Sequence, residues 1–188
     1  MGGVRSVVLL VVLGFLAGSI PFGLIIGKRL GVDVRERGSG NIGASNVTRV
    51  LGVGAGIAVA VLDIAKGALP VWLARHHGGV ATTVGWAAIL GHCFSPWLGG
   101  KGGKGVATAF GAFLVIWPLS AGVALVVFGA VVAITRVPTI GSLAAVATIA
   151  GLALYRGDPG ITRLAVMTLG LLVYTHRNNL RALVTRTR

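Results

Sequence analysis

Apolar residues run in long unbroken stretches separated by short polar segments. Val7 to Leu16, Val53 to Leu62 and Ala121 to Ile134 carry almost no side chain that water would hold, and neither the twofold alternation of a half-buried strand nor the stripe of a surface helix. Segments of this kind predict membrane-spanning helices, at about 20 residues per crossing. Spans are expected near 6–27, 52–74, 80–97, 105–118, 120–135, 139–155 and 161–175, which makes an all-α, polytopic fold of about seven transmembrane helices. The fourth and fifth are short for a crossing. Trp117, Pro118 and Ser120 between them predict a helical hairpin rather than one long helix kinked at the proline.

Composition agrees with the pattern. Only 11% of the 188 residues are charged against 55% hydrophobic, too few polar side chains to coat a water-exposed domain of this size. A single membrane domain over 1–188, without a soluble partner domain, is expected. The first apolar run follows Arg5 and leads to the small residues Ala17, Gly18 and Ser19, as a signal peptide would, but it continues past them, so retention is predicted. Cys93 is the sole cysteine, which excludes an internal disulfide and a cysteine-cluster metal site.

A net charge of +13 would suggest nucleic acid in a soluble protein; here most cations lie in short loops between spans. Seven crossings collect Lys28, Arg29, Arg35, Arg37, Arg49, Lys101, Lys104, Arg136, Arg177, Arg181, Arg186 and Arg188 on one side, leaving Arg5, Arg75, Arg156 and Arg163 on the other. Cytoplasmic loops are the basic ones, so the N-terminus is expected outside and the C-terminus in the cytoplasm.

Three cytoplasmic segments carry candidate chemistry. The first is Gly38-Ser39-Gly40-Asn41-Ile42-Gly43-Ala44-Ser45-Asn46-Val47-Thr48-Arg49, where glycines would let backbone N–H groups approach an anion and Arg49 could grip phosphate through its planar fork. Gly38, Gly40 and Gly43 formally match a dinucleotide fingerprint, but no apolar strand precedes them and Asp63 downstream lies inside an apolar run. The second runs from Gly99 to Thr108 with Lys101, Gly102, Gly103, Lys104 and Gly105, after His92 and Pro96. Leu98 stands where a P-loop needs its first glycine and Gly105 where it needs a magnesium-binding hydroxyl, which argues against an ATPase. A glycine turn carrying lysines into a helix N-terminus suits an anion; the same lysines could also set topology or meet anionic headgroups. The third is Tyr174 to Arg181, with His176 at the membrane boundary as a candidate base, phosphate donor or interfacial residue. Within the second span, Asp63 and Lys66 sit one helical turn apart, which predicts a mutual ion pair. His76 and His77 lie in an outer turn and are not expected to bind metal.

Taken in order, Gly38 to Arg49, His92 to Thr108 and His176 to Asn179, with Gly18-Ser19-Ile20-Pro21 and Asp63 to Gly67, resemble the bacterial acyl-phosphate:glycerol-3-phosphate acyltransferase family over most of the chain. The resemblance implies a seven-helix enzyme of the bacterial plasma (inner) membrane with its active site on the cytoplasmic face. It would pass an acyl group from acyl phosphate to the sn-1 hydroxyl of glycerol 3-phosphate, giving lysophosphatidic acid and phosphate, the first acylation of phospholipid synthesis. It implies Ser39, Arg49, Lys104, His176 and Asn179 as catalytic residues, and Gly38, Gly40, Asn41, Asn46, Lys101, Gly102, Gly103 and Gly105 as substrate-binding ones. Acyl phosphate is already activated, so no cofactor, metal or nucleotide is expected, nor nucleic acid; the partners would be the two substrates and membrane lipid, with the protein acting as a monomer. Ser45, Gly100 and Ala182 depart from the family pattern, and none is assigned to chemistry. Acyltransferases marked by a histidine and an aspartate four residues apart are excluded, because Ala81, Thr82, Trp97 and Arg181 stand at the corresponding positions. The competing class is a transporter or channel for an organic phosphate, which would need polar groups reachable from both faces.

Overall fold

The computed structural model describes residues 2–77 and 79–186, so Arg188 of the basic set lies outside the described residues. Among these, all regular structure is helical. The chain opens with α1 (Gly2–Ser19) and α2 (Phe22–Arg29), continues through α3 (Ala44–Leu51), α4 (Val53–Ala74) and α5 (Val80–Cys93), and after a 3₁₀ turn at Pro96–Leu98 enters α6 (Val106–Ile116). It then forms α7 (Pro118–Thr135), α8 (Pro138–Arg156), α9 (Pro159–Thr175) and α10 (Arg177–Arg186). Each expected span coincides with one of these helices or, for the first, with two. Among the described residues four segments are long and apolar enough to cross a membrane: Gly3–Arg29, Val53–Ala74, Pro118–Thr135 and Pro138–Arg156.

Two local expectations are corrected, and the tail gains a helix. The first span is not one helix: Pro21 has no N–H to continue the ladder, and α1 ends two residues before it. The polar segment before the second span is not all loop, since α3 occupies its second half. There Val47 is buried while Ser45, Thr48 and Arg49 are exposed, an amphipathic pattern over only two turns. The tail after His176 is helical as α10. At Trp117, by contrast, the helix stops at Ile116 and restarts at Pro118, so two helices replace a single kinked one as expected.

The chain divides into two compact units, Met1–Ala112 and Phe113–Arg188. In the first, helices approach through glycines. A methyl group on Gly18 would overlap the Ala88 carbonyl, one on Gly91 the Phe15 carbonyl, and one on Gly67 the Thr108 carbonyl. Lipid tails are as apolar as leucine, so close packing between small residues replaces the hydrophobic effect as the cement of such helices. The outer face of α1 keeps Val8, Leu9, Val12, Leu13 and Leu16 exposed, as lipid contact requires. A separate apolar cluster of Leu24, Val34, Ile42, Val47 and Val59 anchors the segment between α2 and α4, and Leu98 packs against it. In the second unit α7, α8 and α9 pack in sequence, Gly141 of α8 lies against Phe128 and Val132 of α7, and Arg156 stacks on Trp117 at 4.9 Å.

Candidate active site

Asn46, in the first turn of α3, organises the loop before it. Its amide nitrogen donates to the carbonyls of Val34 (2.9 Å), Arg37 (3.1 Å) and Asn41 (2.9 Å), and its Oδ1 accepts the Ser39 N–H (2.8 Å). A loop of this length has many backbone groups without helical partners, and one buried side chain reaches four of them, its two N–H hydrogens shared among three carbonyls. Gly38 and Gly40 take left-handed backbone (φ 61 and 69°), and a methyl on Gly38 would overlap Asn46 Oδ1. Asn41 accepts the Gly43 N–H (2.9 Å), shaping the entry to α3. The outcome leaves Ser39 and Arg49 exposed, Asn41 half-buried and Asn46 fully buried. Nearby, Arg35 and Asp33 form an exposed ion pair at 2.6 Å, and the guanidinium holds the Asp33 carboxyl down at about 2.

The second loop folds back on the end of α5. Gly102 N–H donates to the Cys93 carbonyl and Gly103 N–H to the His92 carbonyl, both at 3.0 Å, so carbonyls that a helix end leaves orphaned are satisfied. Gly103 sits so close to the His92 ring that a methyl there would overlap it. Beyond it come half-buried Lys104, then buried Gly105 with left-handed backbone (φ 89°), and α6; Lys101 is exposed. Burial lowers the proton affinity of Lys104, and the positive charge of Arg49 lowers it further. Two cations 55 positions apart in sequence thus share one neighbourhood at the cost of mutual repulsion, an arrangement that favours an anion.

Both ends of the Asn46 amide are engaged within the loop, which that side chain shapes. The N–H groups of Gly40, Gly102 and Gly103 donate to the Arg37, Cys93 and His92 carbonyls. These glycines contribute space and backbone conformation.

Beneath the loops lies a buried polar cluster. Lys66 Nζ is 2.8 Å from Asp63 Oδ1, the pair expected from their spacing. Lys66 also donates to the Ile20 carbonyl (2.8 Å), Ser95 Oγ to the Ser19 carbonyl (2.7 Å) and Trp97 Nε1 to Ser19 Oγ (2.8 Å). Ser19, Ser95 and Trp97 were not anticipated as partners. Their signal was Pro21 inside an apolar run, since a broken helix at membrane depth must have its freed carbonyls satisfied by side chains.

In the second unit, His176 caps α9. It is buried, and its Nδ1 lies 2.8 Å from the Leu172 carbonyl. A carbonyl only accepts, so Nδ1 carries the proton and the lone pair of the neutral ring is on Nε2. Asn179 follows half-buried on α10. Among the described residues no group of three or more His, Cys, Asp or Glu side chains is arranged to hold a metal ion.

An apolar-surfaced helical fold with basic, glycine-shaped polar loops defines an integral membrane protein, and one fitted for anionic ligands. The family model for glycerol-3-phosphate acyltransferase matches residues 8–186. A glycerol-3-phosphate acyltransferase of Myxococcus xanthus is 50% identical over 184 residues, covering 95% of this chain and 96% of that protein. One of Geobacter sulfurreducens is 42% identical over 179 residues, covering 93% and 92%. The crystal structure of PlsY (YgiH), an integral membrane glycerol 3-phosphate acyltransferase, in its glycerol 3-phosphate form, superposes with a TM-score of 0.92 at 37% identity, covering 96% of this chain and 92% of that one. Its lysophosphatidic acid form gives 0.90. The chain belongs to the glycerol-3-phosphate acyltransferase family.

Proposed function

We propose that this protein transfers an acyl group from acyl phosphate to the sn-1 hydroxyl of glycerol 3-phosphate, releasing lysophosphatidic acid and inorganic phosphate. The observation that carries this reading is the presence of two basic, glycine-rich loops in one compact unit, where Lys104 is half-buried and the charge of Arg49 reaches it. Both substrates bear phosphate, and clustered cations are what two phosphates require. Arg49 grips one phosphate through its planar fork, Lys104 neutralises charge on the other as it departs, and exposed Lys101 helps to recruit both. The N-terminus of α6, entered through Gly105, adds its positive dipole end. Ser39, Gly38 and Asn41 line the approach to the first loop.

The glycerol hydroxyl oxygen attacks the acyl carbonyl carbon, the bond from that carbon to the phosphate oxygen breaks, and phosphate leaves. The hydroxyl proton passes to a base beside it. The family resemblance assigns that role to His176, whose neutral ring would carry its lone pair on Nε2, with Asn179 as its orienting partner on α10. The leaving phosphate is already a good one once its charge is balanced, so neither nucleotide nor divalent metal enters the reaction.

The same reading carries the topology. Seven crossings, formed by α1 with α2, then α4, α5, α6, α7, α8 and α9, put the N-terminus outside and both loops and the tail on the cytoplasmic face of a bacterial inner membrane. The whole chain, 1–188, works as a single acyltransferase domain, as a monomer surrounded by lipid. Purified protein in detergent, given acyl phosphate and labelled glycerol 3-phosphate with a strong chelator and no nucleotide, is expected to release labelled lysophosphatidic acid. Absence of product from acyl phosphate, or a requirement for added magnesium or zinc, would overturn the proposal. Labelling of a cysteine placed at Ser39 from outside intact cells, in a Cys93→Ala background, would overturn the sidedness.

A further inference from the structure

The buried ion pair of α4 lies where the supports of both loops meet. The helix break at Ile20–Pro21 takes the Ser19 and Ile20 carbonyls out of the regular ladder, leaving Ile20 only the tight-turn bond from the Phe22 N–H at 3.1 Å. Lys66 takes the Ile20 carbonyl at 2.8 Å, and Ser95, four residues before Gly99, takes that of Ser19 at 2.7 Å. On one side of the break α2 leads toward the first loop and touches it: Gly23 packs so closely on the Ile42 carbonyl that no side chain would fit. On the other side Asp63, paired with Lys66, has its Oδ1 3.8 Å from His92 Nδ1, and the His92 carbonyl and ring hold Gly103, the residue before Lys104. Asp63, Lys66 and His92 are all buried, at 2%, 4% and 3% exposure, so none is open to a phosphate in solution.

We propose that Lys66, held by Asp63, is a positioning residue for the acyl transfer: by fixing the Ile20 carbonyl it sets the spacing between the Gly38–Arg49 loop and the Gly99–Gly105 loop. The proposal rests on the function argued above in so far as the two loops hold two substrates. A buried lysine is expensive at membrane depth, and its pairing with a carboxylate alone could be replaced by two apolar residues without loss of stability. Its bond to the backbone at a helix break is what apolar replacements would lack.

That difference supplies the test. In Asp63→Asn/Lys66→Met both charges leave together, so neither is stranded and the protein is expected to keep its thermal midpoint in detergent, while the Ile20 carbonyl loses its bond to α4 and keeps only the Phe22 N–H. Spin labels on Ser45→Cys and Lys101→Cys in a Cys93→Ala background report the distance between the loops. The parent is expected to give one narrow distance distribution and the neutral pair a broad one. In unlabelled protein carrying the same neutral pair, kcat should fall at least about tenfold, which corresponds to about 1.4 kcal/mol, with KM for glycerol 3-phosphate within about twofold. Lys66→Arg, which keeps a cationic donor on α4, should recover part of kcat and narrow the distribution; if the neutral pair does not fold, this variant is compared with Lys66→Met/Asp63→Leu. A narrow, unshifted distribution in a folded charge-free protein, or full turnover with a broad one, would overturn the proposal. The distances are read without substrate, so a parent that shows narrow distances but no acyl transfer would refute the assigned reaction and leave the spacing role standing.

Discussion

In the loop 38–49 one side chain holds the backbone, whereas in the loop 99–105 the backbone largely holds itself. Asn46 reaches the carbonyls of Val34, Arg37 and Asn41 and the N–H of Ser39, so four bonds converge on a single amide. Gly102 and Gly103 instead donate to the last carbonyls of α5, with the His92 ring beside Gly103. The charge of Arg49 in the first reaches Lys104 in the second. They differ in where they are vulnerable: the first at one polar side chain, the second wherever a glycine acquires volume.

The largest effect should come from Asn46→Ala. The Arg37 carbonyl keeps the Gly40 N–H, but leaving the Val34 and Asn41 carbonyls and the Ser39 N–H unpartnered costs about 1–3 kcal/mol for each group that water cannot reach, enough to lower kcat/KM by about a hundredfold in protein that still inserts. Asn46→Asp keeps the acceptor for Ser39 but loses both donors, so it should fall nearly as far. Near wild-type kinetics in either would mean the loop does not depend on that amide.

Next come the cations. Arg49→Ala and Lys104→Ala each remove a charge-assisted bond of about 1.5–3 kcal/mol, or about tenfold to more than a hundredfold in kcat/KM, and Arg49→Lys should recover only part because an ammonium lacks the fork. The pair also predicts a pH signature. Lys104 must be protonated to hold phosphate, and both burial and Arg49 lower its proton affinity, so activity should fall on the alkaline side earlier than an ordinary lysine would dictate. Arg49→Gln removes the repulsion and should move that limb to higher pH; an unmoved limb would show that the two charges do not meet.

A smaller loss is expected from Gly103→Ala, whose methyl must displace the His92 ring, at about 1–3 kcal/mol of overpacking. Thermal unfolding of Gly103→Ala, His92→Ala and the double variant measures the contact: the double variant should lose less than the sum of the singles. Additive losses would detach the second loop from His92.

The smallest effect should follow Asp33→Asn. Its pair with Arg35 is exposed and lies outside both designs, so kcat/KM at neutral pH should stay within about twofold. The carboxyl's proton affinity is depressed in the fold, so whatever the pair contributes is present at neutral pH and lost only as pH falls toward about 2.

Much of the fold was legible because membrane helices are local objects. Apolar length marks each crossing whatever lies beside it, and Trp117-Pro118 marks the end of α6 because proline's missing N–H acts on its own turn. Pro21 carried the same signal inside a longer apolar run, where the break between α1 and α2 was overlooked. The Asp63–Lys66 pair was also readable, since three residues along a helix bring two side chains onto one face.

What tertiary structure alone decided is which backbone groups have partners. Asn46 is a polar residue in a polar segment, and by type it could equally serve a substrate or the loop; only its carbonyl partners, 5, 9 and 12 positions away, commit it to the loop. The N–H groups of Gly102 and Gly103 would suit a phosphate in an open loop, until the chain folds back on α5 and engages them. Lys66 meets Ile20 across 46 positions, and Lys104 feels Arg49 across 55. Hydrophobicity and helix-breaking act over a turn or a span and so can be read from residue order, whereas a hydrogen bond or a repulsion depends on distances of a few ångströms that close only when remote segments pack.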